Sequence, residues 1–197
     1  MKIMAGKSLL ALAVLFLAMG AYVAYAATHR STSGSTSGST SGFSAPVASI
    51  TSMQQFAGKP TIAIFFSTSC KFCAYEAAYE VPKLEVWAKS HNVYVALIDA
   101  SNTVGIATPG TVIGSGQDGA WTPSTNAAQL KGNIYQWEKK YRLVGDAYFN
   151  PGLTLAQKYG VNSFPTIVVL DKTGRLYKEM SGVQYAATLE YLAKSAG

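Results

Sequence analysis

Apolar and polar positions along this chain fall into blocks of different period. The first block has no polar relief: Ser8 to Ala27 reads SLLALAVLFLAMGAYVAYAA, twenty residues without a charge. Twenty helical residues rise about 30 Å, the thickness of a bilayer's hydrocarbon core. The pattern therefore predicts a transmembrane signal-anchor over 8–27, after a cytoplasmic N-terminus at 1–7. Lys2 and Lys7 hold that end inside, so a single pass through the cytoplasmic membrane leaves the rest of the chain on the periplasmic side. Ala24-Tyr25-Ala26 offers the alternative of a signal peptide cut near Ala26, which would release a secreted soluble protein. Residues 31–42 repeat STSG three times. A Ser/Thr/Gly linker over 28–42 is a flexible coil that buries nothing, and a spacer of this kind suits a tethered domain better than a free end.

From residue 43 onwards the blocks shorten and alternate. Thr51 or Ser52 caps a short helix, MQQFAG, ending at Gly58. TIAIFF (61–66) and VYVALI (93–98) are continuous apolar runs of the length of buried strands. Between them a helix opens at Cys70, is kinked or divided at Pro82, and continues to about Ser90. Late in the chain come a helix at 153–160, a strand TIVVL (166–170), a turn Asp171-Lys172-Thr173-Gly174, a strand RLYKEM and a closing amphipathic helix at 186–195. This order is a β-α-β unit joined to a β-β-α unit, which implies an α/β domain over 43–197 with a mixed sheet and helices on both faces. An insertion at about 101–149 separates the two units. Its first part, 101–123, is rich in Gly, Thr, Ser and Pro. Its second, 125–142, carries Leu130, Ile134, Trp137 and Tyr141 on one helical stripe, a packing face rather than a cofactor box. GTVIGSGQDG within the insertion is not a phosphate loop, because no Gly-Lys-Ser/Thr follows.

Composition changes this picture little. The chain is 49% hydrophobic and 13% charged, with formal charge +6. Three basic residues lie in the first 42 positions, and the rest carries 13 basic against 10 acidic side chains. That balance leaves no nucleic-acid footprint.

The candidate chemistry lies in Cys70-Lys71-Phe72-Cys73, which holds both cysteines of the chain. A cysteine in the first turn of a helix meets unpaired N–H groups and the positive end of the dipole, both of which favour thiolate. Cys73 sits one turn on, close enough to form a small disulfide. Cys70 is then the attacking thiolate and Cys73 the resolving thiol, with Lys71 adding positive charge nearby. Zinc would need a second pair of ligands that the sequence does not supply. A purely structural bridge closing so small a loop would remove little chain entropy. Metal is thus not expected, and no cofactor is needed beyond a redox-active Cys70–Cys73 disulfide. His91, at a predicted helix end, reads as a surface residue, and Tyr75 and Trp87 as core packing.

A second signal is Phe164-Pro165-Thr166, directly before a predicted strand. KPTIAIFFSTSCKFC, followed by NPGLTLAQKYGVNSFPTIVVLDKTGRLYKEMSGV, resembles the thioredoxin superfamily, and within it the membrane-tethered extracytoplasmic thioredoxin-like thiol-disulfide oxidoreductases. The resemblance covers about 50–100 and 150–195. It implies a thioredoxin-like three-layer sandwich, a cis-proline at Pro165 facing Cys70, and a Phe164 backbone that pairs with substrate by β-augmentation. Three departures stand out. Ile64 occupies the position of the acidic proton acceptor in the strand, Ser69 that of the tryptophan before the first cysteine, and Lys71-Phe72 is an unusual dipeptide. Glu76, one turn after Cys73, offers a substitute acceptor, although a solvated surface carboxylate is the preferred reading for it and for Glu80.

The resemblance implies exchange with protein thiols and disulfides. The reducing direction is preferred, drawing on an integral membrane redox partner. Disulfide oxidase or isomerase chemistry at the same site is the alternative. From another class, a thioredoxin-fold scaffold in an envelope assembly for secretion, pilus building or cytochrome maturation also fits.

Overall fold

The computed structural model describes residues 47–197. The expected anchor, its alternative cleavage site and the linker lie outside the described residues. Among those described, no helix is long and apolar enough to cross a membrane.

The continuous apolar runs become the centre of a six-stranded sheet. β1 is Ala48–Ser49, β2 Thr61–Phe66, β3 Tyr94–Asp99, β6 Asp146–Phe149, β7 Thr166–Leu170 and β8 Leu176–Ser181, in spatial order β1-β6-β3-β2-β7-β8. β2 is buried along its whole length between parallel β3 and antiparallel β7. Side chains alternate across a strand, so Ile62, Ile64 and Phe66 enter one core while Ala63 and Phe65 enter the other. β7 divides in the same way, Ile167 and Val169 against Val168 and Leu170. A strand buried on both faces has no polar positions to spare, which is why both runs were legible as strands.

The first core is closed by α1 (Lys71–Tyr79), α2 (Val81–His91), α3 (Ala127–Tyr141) and α5 (Ala186–Ser195). The second is closed by a 3-10 turn at Met53–Phe56, capped by Ser52, and by the short α4 (Thr154–Lys158). This is the expected mixed sheet with helices on both faces, a thioredoxin-like three-layer sandwich. Pro82 divides the first long helix as anticipated: α1 stops at Tyr79, and Pro82 lies in the first turn of α2, where its missing N–H has no partner to lose.

The insertion at about 101–149 takes part in the sheet. Its last part, Asp146–Phe149, forms β6, a parallel strand between β1 and β3. Four residues beginning with an exposed Asp146 are too short to show a period. The Gly-rich part also holds a small hairpin-like pair, β4 (Thr103–Val104) with β5 (Thr122–Pro123). Trp87 is half-buried and packs against the first core as expected, stacking also on the exposed His91 at 4.4 Å, whereas Tyr75 joins neither core and pairs with Tyr79 instead. The α3 stripe is core as expected, with Leu130, Ile134, Trp137 and Tyr141 all buried. Trp137 stacks on Phe66 of β2 at 4.2 Å, which fixes the helix over the sheet end that carries the cysteines.

Candidate active site

β2 ends at Phe66 and the chain turns through Ser67-Thr68-Ser69 into α1. Ser67 O accepts the Cys70 N–H at 3.2 Å, and Cys70 becomes the N-cap with extended dihedrals of −87° and 123°. Its Sγ accepts the N–H of Cys73 at 3.4 Å, taking the place of a capping hydroxyl. Both cysteines are free thiols, Cys70 half-buried and Cys73 2% exposed. The Cys70 thiol is lowered to about 7, chiefly by the hydrogen bond from the Cys73 side chain, with help from the Cys73 and Phe72 backbone N–H groups. Burial and the charge of Asp118 oppose this. Burial pushes the Cys73 thiol well up. One sulfur is thus ready to be a nucleophile near neutral pH and its neighbour is held protonated.

Opposite Cys70 stands the loop before β7. The Phe164–Pro165 peptide bond is cis, and the Cys70 thiol donates to the Phe164 carbonyl oxygen at 3.6 Å. Pro165 is buried and Thr166 is anchored by its hydroxyl donating to Ser163 O at 2.8 Å. The segment Phe164-Pro165-Thr166 therefore meets the cysteines although 94 residues separate Cys70 from Phe164.

The tuning residues are placed differently from expectation. The Lys71 ammonium lies over the Phe72 ring, 5.6 Å from its centroid, and is not among the groups that move the Cys70 pKa. The charge that does act is Asp118, whose Oδ1 accepts the Lys71 N–H at 2.9 Å at the start of α1. Glu76 and Glu80 are not solvated; they are 1% and 5% exposed. The start of α5 covers them: Glu76 Oε1 accepts the Gln184 N–H at 3.2 Å and Glu80 Oε2 the Ala186 N–H at 2.9 Å. Glu80 also pairs with Lys83 at 2.9 Å. Glu76 Oε2 has no partner, and burial raises this carboxyl to about 8. The charges of Cys70 and Glu80 push it the same way, and that of Glu76 raises Cys73. Ile64, where an acidic acceptor was missing from the pattern, is a core residue 2% exposed. The buried carboxyl next to the dithiol comes from the helix instead.

The insertion supplies residues that the pattern did not reveal. Ala107 N–H bonds Thr68 O and Gly119 N–H bonds Ser69 O, both at 2.9 Å, which lays the 103–121 segment beside the cysteines. Between them opens a pocket of about 280 Å³ lined by Ser67, Ser69, Cys70, Ser101, Thr103, Asp118, Trp121 and Phe164. The hydroxyl-rich ends of two neighbouring strands, STS after β2 and ASNT after β3, were the available signal for it. Among the described residues no group of three or more His, Cys, Asp or Glu is arranged to hold a metal ion.

Residues 50–196 match the family model described as a thioredoxin-like domain. Similar solved structures include StoA from Bacillus subtilis, 17% identical over 69% of this chain and 83% of that one, with a TM-score of 0.51. A putative thiol:disulfide interchange protein DsbE from Chlorobium tepidum is 14% identical over 72% and 82%, with a TM-score of 0.51. The thioredoxin domain of a thiol-disulfide oxidoreductase from Bacteroides vulgatus is 14% identical over 72% and 84%, with a TM-score of 0.50. No curated protein matches the chain in sequence.

Proposed function

The chain belongs to the thioredoxin-like domain family; from this premise we propose that it is a thiol-disulfide oxidoreductase, a membrane-anchored extracytoplasmic enzyme that reduces disulfides in proteins. The observation that carries the reading is the pairing of a Cys70 thiol lowered to about 7 with a buried, protonated Cys73 one helical turn away. In the reducing direction the Cys70 thiolate attacks one sulfur of a substrate disulfide, and the other sulfur leaves as a thiolate. Cys73 then displaces the substrate from the mixed disulfide, which leaves a Cys70–Cys73 disulfide and a reduced substrate. Resolution needs the Cys73 proton removed, and Glu76, whose charge acts on Cys73, takes it in its ionised form, a form that grows as pH rises towards about 8. Phe164-Pro165-Thr166 binds the substrate backbone beside Cys70 by β-augmentation. Phe72, Val112, Ile113 and Trp121 are exposed apolar side chains from α1 and the insertion. With Trp121 in the Cys70 pocket, they favour an apolar segment around the substrate cysteine.

The anchor reading draws on the uncharged stretch 8–27 behind Lys2 and Lys7. Oxidised Cys70–Cys73 must be reduced again, and for an anchored extracytoplasmic domain the donor is an integral membrane redox partner. Turnover of insulin by the purified full-length chain, with dithiothreitol as electron source, tests catalysis. Wild type accelerates precipitation of the reduced insulin chains and Cys70→Ser does not; equal rates would overturn the enzyme. A Cys73→Ala variant traps substrates as mixed disulfides on Cys70, whereas an envelope scaffold would hold its partners only non-covalently.

A further inference from the structure

One wall of the Cys70 pocket is a chain of hydroxyls that ends on a buried acid. Ser67 Oγ lies 3.0 Å from Ser69 Oγ, and Ser69 Oγ lies 3.4 Å from Thr103 Oγ1. Thr103 donates to Ser101 Oγ at 3.2 Å, and Ser101 donates to Asp99 Oδ1 at 3.0 Å. Asp99 is the last residue of β3 and is 2% exposed, set between Phe66 of β2 and Phe149 of β6. Ser69, Ser101 and Thr103 line the same pocket as Cys70. A carboxyl buried in this way requires a reason, since burial without a charged partner disfavours its ionised form.

We propose that Asp99 is the proton reservoir of the exchange reaction, joined to the sulfurs in the Cys70 pocket through Ser101, Thr103 and Ser69. The inference rests on the exchange reading above but not on its direction, and it concerns the substrate side of Cys70, not Glu76 and Cys73. Each hydroxyl both donates and accepts, so a proton entering at one end of the row releases another at the far end. The pocket, about 280 Å³ with the hydroxyls of Ser69, Ser101 and Thr103 in its lining, has room and partners for a water to bridge Ser69 and the sulfur. Burial leaves the proton on Asp99 while Cys70, lowered to about 7, supplies the thiolate. The thiolate attacks the substrate disulfide; one S–S bond forms as the other breaks. The departing substrate thiolate takes the Asp99 proton through the row, which gives a thiol and an Asp99 carboxylate, and solvent in the pocket returns a proton to Asp99 along the same row. One proton passes from solvent to the released thiol, and no further reactant is required.

The surroundings suit this role. Burial raises the Asp99 carboxyl to about 8, opposed by Ser101, close to the Cys70 value, and exchange between groups of matched pKa is the efficient arrangement. The titratable groups facing the pocket are Cys70 from α1 and Asp118 from the insertion. β2 and β6 present Phe66 and Phe149 beside Asp99, and Lys131 of α3 lies over the Phe149 ring, 5.8 Å from its centroid.

The test compares kcat and KM for insulin reduction by the full-length chain, from pH 6 to 9, in Asp99→Asn, Thr103→Val and Thr103→Ser. Thr103→Val cuts the row midway while leaving Asp99 and Cys70 in place. General acid–base steps contribute on the order of a hundredfold or more, so both cutting variants are expected to lose between about ten- and a hundredfold in kcat near pH 7. Their KM should be unchanged, their kcat should respond differently to pH, and Thr103→Ser should recover most of the loss. Thr103→Val keeps the test alive even if Asp99→Asn does not fold. A Thr103→Val enzyme with wild-type kcat at every pH overturns the relay and leaves the exchange reading standing. A wild-type chain with no exchange activity overturns the exchange reading itself.

Discussion

At the scale of single residues the site is a matter of where burial stops. Cys70 sits at the lip of the sheet with N–H groups aimed at its sulfur, while Cys73 and Glu76, one and two turns further along α1, are enclosed. Alkylation of Cys70 followed against pH should therefore rise through a midpoint near 7, because only the thiolate reacts. A midpoint at or above that of a free cysteine would contradict the electrostatics described. Glu76 gives a second prediction. Its folded pKa is raised from 4.5 to about 8, so between those values the folded state holds a proton that the unfolded chain has lost. Stability conferred by that proton is complete below about 4.5 and falls as pH rises towards about 8, by at most ~1.4 kcal/mol per pH unit. Asp99 acts with the same sign over nearly the same window. Urea unfolding of Glu76→Gln from pH 5 to 9 should thus show a shallower fall than wild type; an identical slope would mean Glu76 does not carry the proton. Cys70, Cys73 and Pro165 were legible in the sequence because spacing along one helix and a proline before a strand are local signals. The burial of Glu76 was not, because the N–H group that meets it belongs to Gln184, 108 residues away.

At the scale of elements, the insertion does two jobs. β6 and α3 extend the sheet and its cover, and the loop from Thr103 to Trp121 forms a wall of the site. These roles separate by mutation. Trp137 is 1% exposed and stacked on Phe66, so Trp137→Ala should destabilise the fold by about 3–5 kcal/mol in urea titration. Trp121 is 59% exposed at the pocket, so Trp121→Ala should leave stability unchanged within about 0.5 kcal/mol. It should raise KM for insulin severalfold, as loss of an aromatic contact worth more than about 1 kcal/mol would. An unchanged KM would mean the insertion does not touch substrate. β2, β3 and β7 could be read from sequence because they are buried on both faces. The loop could not, since Asp118 and Thr103 reach the site through backbone bonds that no period records.

At the scale of the whole molecule, the fold brings two distant segments, the CxxC helix and the cis-proline loop, to the same end of two neighbouring inner strands of a thioredoxin-like sheet and lays the insertion beside them. The architecture was legible because its strands and helices alternate in an order that admits few topologies. The direction of electron flow is not written in that architecture. It depends on the difference in stability between the dithiol and the disulfide, which for thioredoxin-fold proteins spans about 150 mV. The central claim is that Cys70 and Cys73 reduce other proteins outside the cytoplasm, and the most direct test is their redox state in intact cells, by acid quenching and alkylation with a mass-shifting reagent. A reductase fed by a membrane donor predicts a pair that is mostly reduced although its compartment is oxidising. A pair found mostly oxidised would contradict that claim.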